Sequence, residues 1–266
     1  MTKEELKKIK ALFLDMDGVL WTNNKAIGNL KQVFDDIRKA GLIPLFGSNN
    51  GTRRPEELCE KLAQFDVFVK PEQFFTSGIA TIFQLKKDFP DGVKLYVFGS
   101  PSLKKLMSDN GIEVVEENAD AVLVSFDYDI NYDKISRAMI EINEHGAKFY
   151  ATNTDSTFVT EDGWRPGGGV MVNTVQTCTG VLPFVIGKPN TVMIEMACKA
   201  YSLKPEEIMA VGDRYETDIQ GGINFGCPSA LVLTGYENTE TVPYLDPKPD
   251  LICKDLAEVV SILRYV

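Results

Sequence analysis

Histidine is nearly missing from this chain: its 266 residues hold one, His145. Histidine-built metal sites are thereby excluded, and a Ser-His-Asp hydrolase would have to rest on that single residue. His145 lies in "INEHGAKF", where a helix is expected to end before Gly146, and reads as a surface or capping side chain. Cysteine is also sparse. Cys59, Cys178, Cys198, Cys227 and Cys253 are odd in number, scattered, and form no CxxC pair, which argues against a disulfide framework or a zinc site. Basic charge is in deficit: 28 Lys and Arg against 38 Asp and Glu give a net charge of −10, so no nucleic-acid partner is expected. Nor is there an apolar run long enough to cross a membrane. The opening "MTKEELKKIK" is charged and no such run follows it, so a soluble, cytoplasmic protein without a membrane partner is expected.

What the chain does contain is short apolar runs alternating with helix-period segments. "ALFL" (11–14), "LIPLF" (42–46), "KLYVF" (94–98), "AVLVSF" (121–126), "KFYAT" (148–152), "PFVIG" (183–187), "IMAVG" (208–212) and "SALVL" (229–233) read as strands. Between them, "IGNLKQVFDDIRKAG" puts Ile27, Leu30, Phe34 and Ile37 on one helical face and stops at Gly41; "RPEELCEKLAQF" places Pro55 in a first turn with Leu58, Leu62 and Phe65 as its stripe. "NTVMIEMACKAYSL" and "DLAEVVSILRYV" are also helical. Such β/α alternation predicts an α/β protein with doubly wound parallel sheets. The polar motifs cluster early (15–52) and late (187–218), with complete-looking β/α units between them. That pattern predicts a Rossmann-like core domain from residues 1–79 and 186–266, interrupted by an inserted α/β domain over 80–185.

Ligands of open α/β sheets bind beyond the carboxyl ends of the strands, so the residues delivered there matter most. The first strand delivers Asp15 and Asp17 in "DMDG". Two neighbouring carboxylates raise each other's pKa; a divalent cation such as Mg²⁺ would relieve the conflict, while a plain Asp-Gly turn is the bland alternative. The second delivers "GSNNGTRRP", in which Ser48, Asn49 and Asn50 present hydroxyl, amide and backbone N–H groups that suit an anion or merely cap the following helix. Lys188 in "IGKPN" is the natural partner of a doubly charged phosphate, although lysines so placed are usually solvated. Asp213 ends an apolar strand in "AVGDRYETD" and could complete a metal site; Asp218, five residues on, could anchor the loop or cap a helix. "SFDYDI" offers a second Asp-x-Asp, Asp127 and Asp129, but lacks the glycine and reads as a helix-capping decoy.

D-x-D-G-V-L, then S-N-N, G-K-P and G-D-x-x-x-x-D, in that order, closely resemble the haloacid dehalogenase superfamily. "DGVLW", "SNNGTRRP", "TNTDSTF…GWRPGGG" and "GKPN" look like its 4-nitrophenylphosphatase branch, which carries a large α/β cap inserted after the second motif. The resemblance runs from about residue 10 to 235. It implies that Asp15 is a nucleophile forming an aspartyl-phosphate and that Asp17 protonates the leaving oxygen and then activates water. It also implies Mg²⁺ held by Asp15, the backbone carbonyl of Asp17 and Asp213, with Ser48, Lys188 and Asn50 or the Asn49–Asn50 backbone on the phosphoryl oxygens and Asp218 in support. Asp17 favours phosphate-ester hydrolysis, since dehalogenating members lack it. Ser48 stands where the motif often has threonine and keeps the hydroxyl.

In the family, the segment matching "ATNTDSTFVTEDGWRPGGG" lies over the active site, which makes Asn153, Asp155 and Gly167–Gly169 candidates for shaping a substrate pocket; Asn and Asp in a loop more often satisfy backbone groups. Trp21 is expected to pack in a core or flap. The implied substrate is a small phosphorylated metabolite, with 4-nitrophenyl phosphate as an artificial one, and a homodimer through the cap is among the assemblies to expect. Two other functions share the scaffold's chemistry: a phosphotransferase or mutase, and a receiver-like phospho-accepting module. Receivers are about half this length and take their acidic pair and acceptor aspartate from different strands.

Overall fold

The computed structural model describes residues 1–51, 53–160 and 163–265. The chain divides into two compact units: residues 1–48, 53–75 and 188–266 form the first, and 49–52 with 76–187 the second.

The first unit is built on a six-stranded sheet in the order Leu251–Cys253, Ser229–Val232, Ile208–Gly212, Ala11–Leu14, Ile43–Ser48, Phe74–Thr76. Ala11–Leu14 runs parallel to both neighbours, with Leu14 opposite Val211 on one side and Phe46 on the other. Its four residues are all buried, as a strand covered on both faces must be. The apolar run therefore has no alternation to display, and its boundaries agree with the sequence reading.

The helix Leu30–Lys39 turns Leu30, Val33, Phe34 and Ile37 inward, and Asn29 caps it by accepting from the Gln32 N–H at 3.1 Å. Ile27 precedes the helix and Val33 takes its place in the stripe. Pro55 opens the helix Pro55–Ala63, whose Leu58 and Leu62 are buried. Phe65 lies beyond that helix and stacks on Trp21, centroids 6.3 Å apart. A two-strand antiparallel hairpin, Trp21–Thr22 with Lys25–Ala26, follows the first strand.

The second unit has its own five-stranded sheet in the order Phe184–Val185, Lys148–Ala151, Ala121–Val124, Lys94–Phe98, Glu113–Val114, with every pairing parallel. Tyr96, Phe98, Val122, Val124, Phe149, Val172 and Val175 are among its buried core. The stretch expected as a loop over 151–169 is in part regular: Thr157–Thr160 pairs antiparallel with Gly163–Pro166, and a helix begins at Gly168. The glycines there serve close approach. A methyl group on Gly167 or Gly169 would run into the backbone of Thr154 and Asp155, and the Gly169 N–H donates to the Asp155 carbonyl at 2.9 Å.

Asp127 and Asp129 do not cap the helix Tyr132–Asn143; Asn131 does, accepting from the Lys134 N–H. Asp127 is buried and holds the Lys134 ammonium at 2.8 Å instead. His145 pairs with the buried Glu141 at 2.9 Å, one turn back.

Candidate active site

Parallel neighbours end together, so the residue after each strand meets the residue after the next. Asp15 follows Ala11–Leu14 and Asp213 follows Ile208–Gly212, the adjacent strand. The Asp15 N–H donates to the Val211 carbonyl at 2.8 Å, which extends the ladder one step and fixes its carboxylate beside Asp213. Asp218 comes from a π-helical turn, Tyr215–Ile219, directly after Asp213. Its Oδ2 accepts from the Arg214 N–H at 3.1 Å, which curls the loop back on itself. Each of Asp15, Asp213 and Asp218 offers a carboxylate oxygen within 4.8 Å of the others.

One ammonium serves these three acids. Lys188 Nζ lies 2.5 Å from Asp15 Oδ1, 2.6 Å from Asp218 Oδ1 and 3.0 Å from the Gly47 carbonyl. The lysine side chain is 5% exposed. Burial opposes its charge, but Asp15 and Asp218 outweigh that and hold its pKa above the ordinary lysine value. Charge balance fails for the acids. Burial, then Asp218, push the Asp213 carboxyl up to about 6, with the Tyr236 N–H at 2.7 Å pulling the other way. Burial likewise raises Asp15 well above the carboxylate range, with Asp218 and Asp213 adding to it against Lys188. Two buried carboxylates and a half-buried one, with the Lys188 ammonium paired to Asp15 and Asp218, are short of positive charge.

Asp17 is exposed, and its Oδ1 accepts from the Trp21 indole Nε1 at 2.8 Å. Between the two aspartates' turn and Asp213 there is room only for glycine: Gly18 has φ +83, and a methyl group there would collide with the Asp213 carboxylate. Ser48 is buried at the end of Ile43–Ser48, on the other side of the Asp15 strand. Asn49, Asn50 and Asp155 belong to the second unit. There the Asp155 carboxylate accepts from Asn49 Nδ2 at 3.0 Å and Asn153 Nδ2 at 2.6 Å, and Asn50 is exposed. The residues expected on phosphoryl oxygens are thus divided: Ser48 and Lys188 in the first unit, Asn49 and Asn50 in the second.

Two features escaped the sequence reading. The segment after Ser229–Val232 reaches the site: Thr234 Oγ1 donates to the Gly18 carbonyl at 2.5 Å, and the Glu237 N–H to the Asp213 carbonyl at 3.0 Å. Asking what that strand delivers at its end, as for the others, would have found it. The Trp21–Asp17 hydrogen bond has no sequence signal beyond spacing.

An acidic, lysine-paired cluster at the strand ends of a doubly wound sheet has the donors to hold a cation beside an anionic group. Comparison with known proteins makes this specific. The model of the haloacid dehalogenase-like hydrolases matches residues 12–113, and a further HAD-hydrolase-like model matches 185–259. An acid sugar phosphatase of Staphylococcus aureus is 33% identical over 260 residues, covering 97% of this chain and all of that one. The structure of a 4-nitrophenylphosphatase from Thermotoga maritima matches with a TM-score of 0.90 at 29% identity, over 97% of this chain and 98% of its own. A p-nitrophenyl phosphatase from Archaeoglobus fulgidus matches with a TM-score of 0.89 at 27% identity, over 96% and 99%. The chain belongs to the haloacid dehalogenase-like hydrolases, in their 4-nitrophenylphosphatase-like branch of core-plus-cap phosphatases, and is a phosphoric monoester hydrolase.

Proposed function

We propose that this enzyme hydrolyses small organic phosphate monoesters with the help of Mg²⁺, through an aspartyl-phosphate on Asp15. The observation that carries the reading is the grouping of Asp15, Asp213 and Asp218 around Lys188. The donor set fits the ion: hard carboxylate oxygens, short of positive charge, with the Asp15 and Asp213 carboxyls pushed upward by burial and by neighbouring carboxylates. Asp15 and Asp213 would hold Mg²⁺, joined by the Asp17 carbonyl, with Asp218 beside them. When bound, the ion neutralises charge on the phosphoryl oxygens.

The chain's own residues supply the rest. The Asp15 carboxylate attacks phosphorus while the bond to the leaving oxygen breaks, and Asp17 passes that oxygen a proton. Asp17 then takes a proton from the water that attacks the aspartyl-phosphate, which releases inorganic phosphate and restores Asp15. Lys188 and Ser48 hold the phosphoryl oxygens, and phosphoryl transfer depends chiefly on such positioning and charge. The names of the relatives support sugar phosphates as the first substrates to try and 4-nitrophenyl phosphate as an artificial one. A panel of phosphorylated metabolites, read as free phosphate with and without Mg²⁺, tests this. Turnover is expected to vanish in excess EDTA and in Asp15→Asn. Full activity in either condition refutes the assignment.

A further inference from the structure

Trp21 is 1% exposed, yet it carries a polar N–H that has to be satisfied. Its partner is Oδ1 of Asp17, at 2.8 Å. The indole is fixed from several sides. The Trp21 backbone carbonyl accepts from the Gly18 N–H at 2.8 Å, and the Trp21 backbone N–H donates to the Met16 carbonyl at 3.3 Å. Phe65 stacks on the ring at an interplanar angle of 27°. Lys61 Nζ sits 4.1 Å from the ring centroid and is held there by the Asn23 carbonyl at 3.1 Å. A cation on the π face draws electron density from the ring and strengthens its N–H as a donor. All of these groups lie in the first unit, from the turn after the Asp15 strand through its hairpin and from the helix Pro55–Ala63 to the residues just after it.

We infer that Trp21, polarised by Lys61, is a positioning residue for proton transfer by Asp17: it holds Oδ1 so that Oδ2 is the oxygen that delivers and receives the proton. This rests on the acid–base reading of Asp17. A side chain as exposed as Asp17 is otherwise free to rotate, and general acid catalysis falls steeply when the acid is misplaced. A buried indole that merely borrows an acceptor would give the same distance but no kinetic consequence of its own.

Leaving-group dependence separates the cases. Phenolate resembles the tyrosine side chain, with a pKa of about 10, and needs a proton as it departs; 4-nitrophenolate leaves readily without one. kcat/KM counts only the steps up to the first irreversible one, here formation of the aspartyl-phosphate. The experiment compares kcat/KM for phenyl phosphate and 4-nitrophenyl phosphate in wild type, Trp21→Phe and Asp17→Asn, all with Mg²⁺. Asp17→Asn is expected to lower the phenyl-to-nitrophenyl ratio by about 10²-fold, the low end of acid–base contributions. Trp21→Phe keeps the aromatic packing, loses the donor, and is expected to lower the ratio by about tenfold. Equal losses on both substrates in Trp21→Phe mean a structural role and overturn the proposal. An unchanged ratio in Asp17→Asn overturns the acid–base reading itself. Should Trp21→Phe fail to fold, Lys61→Met carries the test: it keeps the alkyl stem, removes the charge, and is expected to lower the ratio about threefold. An unchanged ratio there overturns the proposal.

Discussion

Asp213→Asn should make the metal-free protein more stable while abolishing its activity. Asp213 is 8% exposed, and its carboxyl is pushed from 3.8 to about 6, first by burial and then by Asp218. A folded-state pKa above the unfolded one means that the protonated carboxyl favours folding. That contribution is complete below about pH 4, drains away as the pH rises, and is gone above about 6. At pH 7.5 the ionised carboxylate therefore costs about 3 kcal/mol, at 1.36 kcal/mol for each tenfold change in the ratio. Asparagine removes the charge and keeps an oxygen to accept from the Tyr236 N–H. The variant should gain up to about 3 kcal/mol in EDTA at pH 7.5, or roughly 10 °C in the melting temperature of the first unit. The two proteins should converge at pH 4. Two units need not unfold together, so the transition is best followed by Trp21 fluorescence in a Trp164→Phe background, since Trp21 belongs to the first unit and Trp164 to the second. Added Mg²⁺ should stabilise wild type by mass action and leave Asp213→Asn nearly unmoved. A variant no more stable than wild type in EDTA at pH 7.5 would refute the argument that these acids conflict.

Lys188→Met removes the ammonium from Asp15 and Asp218; breaking a buried pair costs about 3–5 kcal/mol, and urea denaturation should show part of that loss recovered as the pH falls and Asp15 and Asp213, whose carboxyls are raised by burial, take up protons. Its turnover should fall at least about 10²-fold, as when an electrostatic donor is removed from an active site. Gly18→Ala meets both a φ of +83 and the Asp213 carboxylate, so it should lose about 1–2 kcal/mol and most of its activity; wild-type kinetics would show that the turn tolerates a side chain. Burial raises the thiols of Cys198 and Cys253 to about 11 and Cys227 to about 12, whereas Cys178 is exposed. Ellman's reagent should therefore find Cys178 fast and those three only on unfolding, with the fast phase absent in Cys178→Ser.

The parts of this fold that the sequence displayed are those where physics leaves a local trace. Ala11–Leu14, Lys94–Phe98 and Ile208–Gly212 agree with their apolar runs because strands buried on both faces admit no polar residue until they end. The edge strands Phe74–Thr76 and Leu251–Cys253 are three residues each, too short for any period to show. "PFVIG" misleads in another way: it supplies a two-residue strand, Phe184–Val185, to the second sheet, so Lys188 does not come from a strand end of the first. Asp15, Asp213 and Lys188 each had an ordinary structural reading alone; their order along the chain and the family resemblance singled them out, and the fold brings their side chains together. Asp218 was legible as a residue but not as a close member of the acidic cluster, since that depends on a π-helical turn that no composition announces. Asn49 and Asn50 were read as ligand groups from their place after a strand, and Asp155 from the family resemblance; Asp155 is engaged by Asn49 and Asn153.

These observations bear on why two carboxylates end the first strand. A site that gathers Asp15, Asp213 and Asp218 on one ammonium is costly to fold and incomplete without more positive charge, and the chain spends stability on that arrangement where an apolar strand end would be cheaper. Asp17 takes no part in the conflict. Its carboxylate is turned toward the Trp21 indole rather than into the cluster. One residue apart in sequence, the two aspartates thus sit in different surroundings, one half-buried among like charges and one exposed beside an indole. The proposed mechanism asks different tasks of the two, and the fold gives them different surroundings in which to do them. The glycine that follows them is the structural means: with φ +83, Gly18 turns the chain directly after Asp17 and lets the Asp213 carboxylate pass where any side chain would stand.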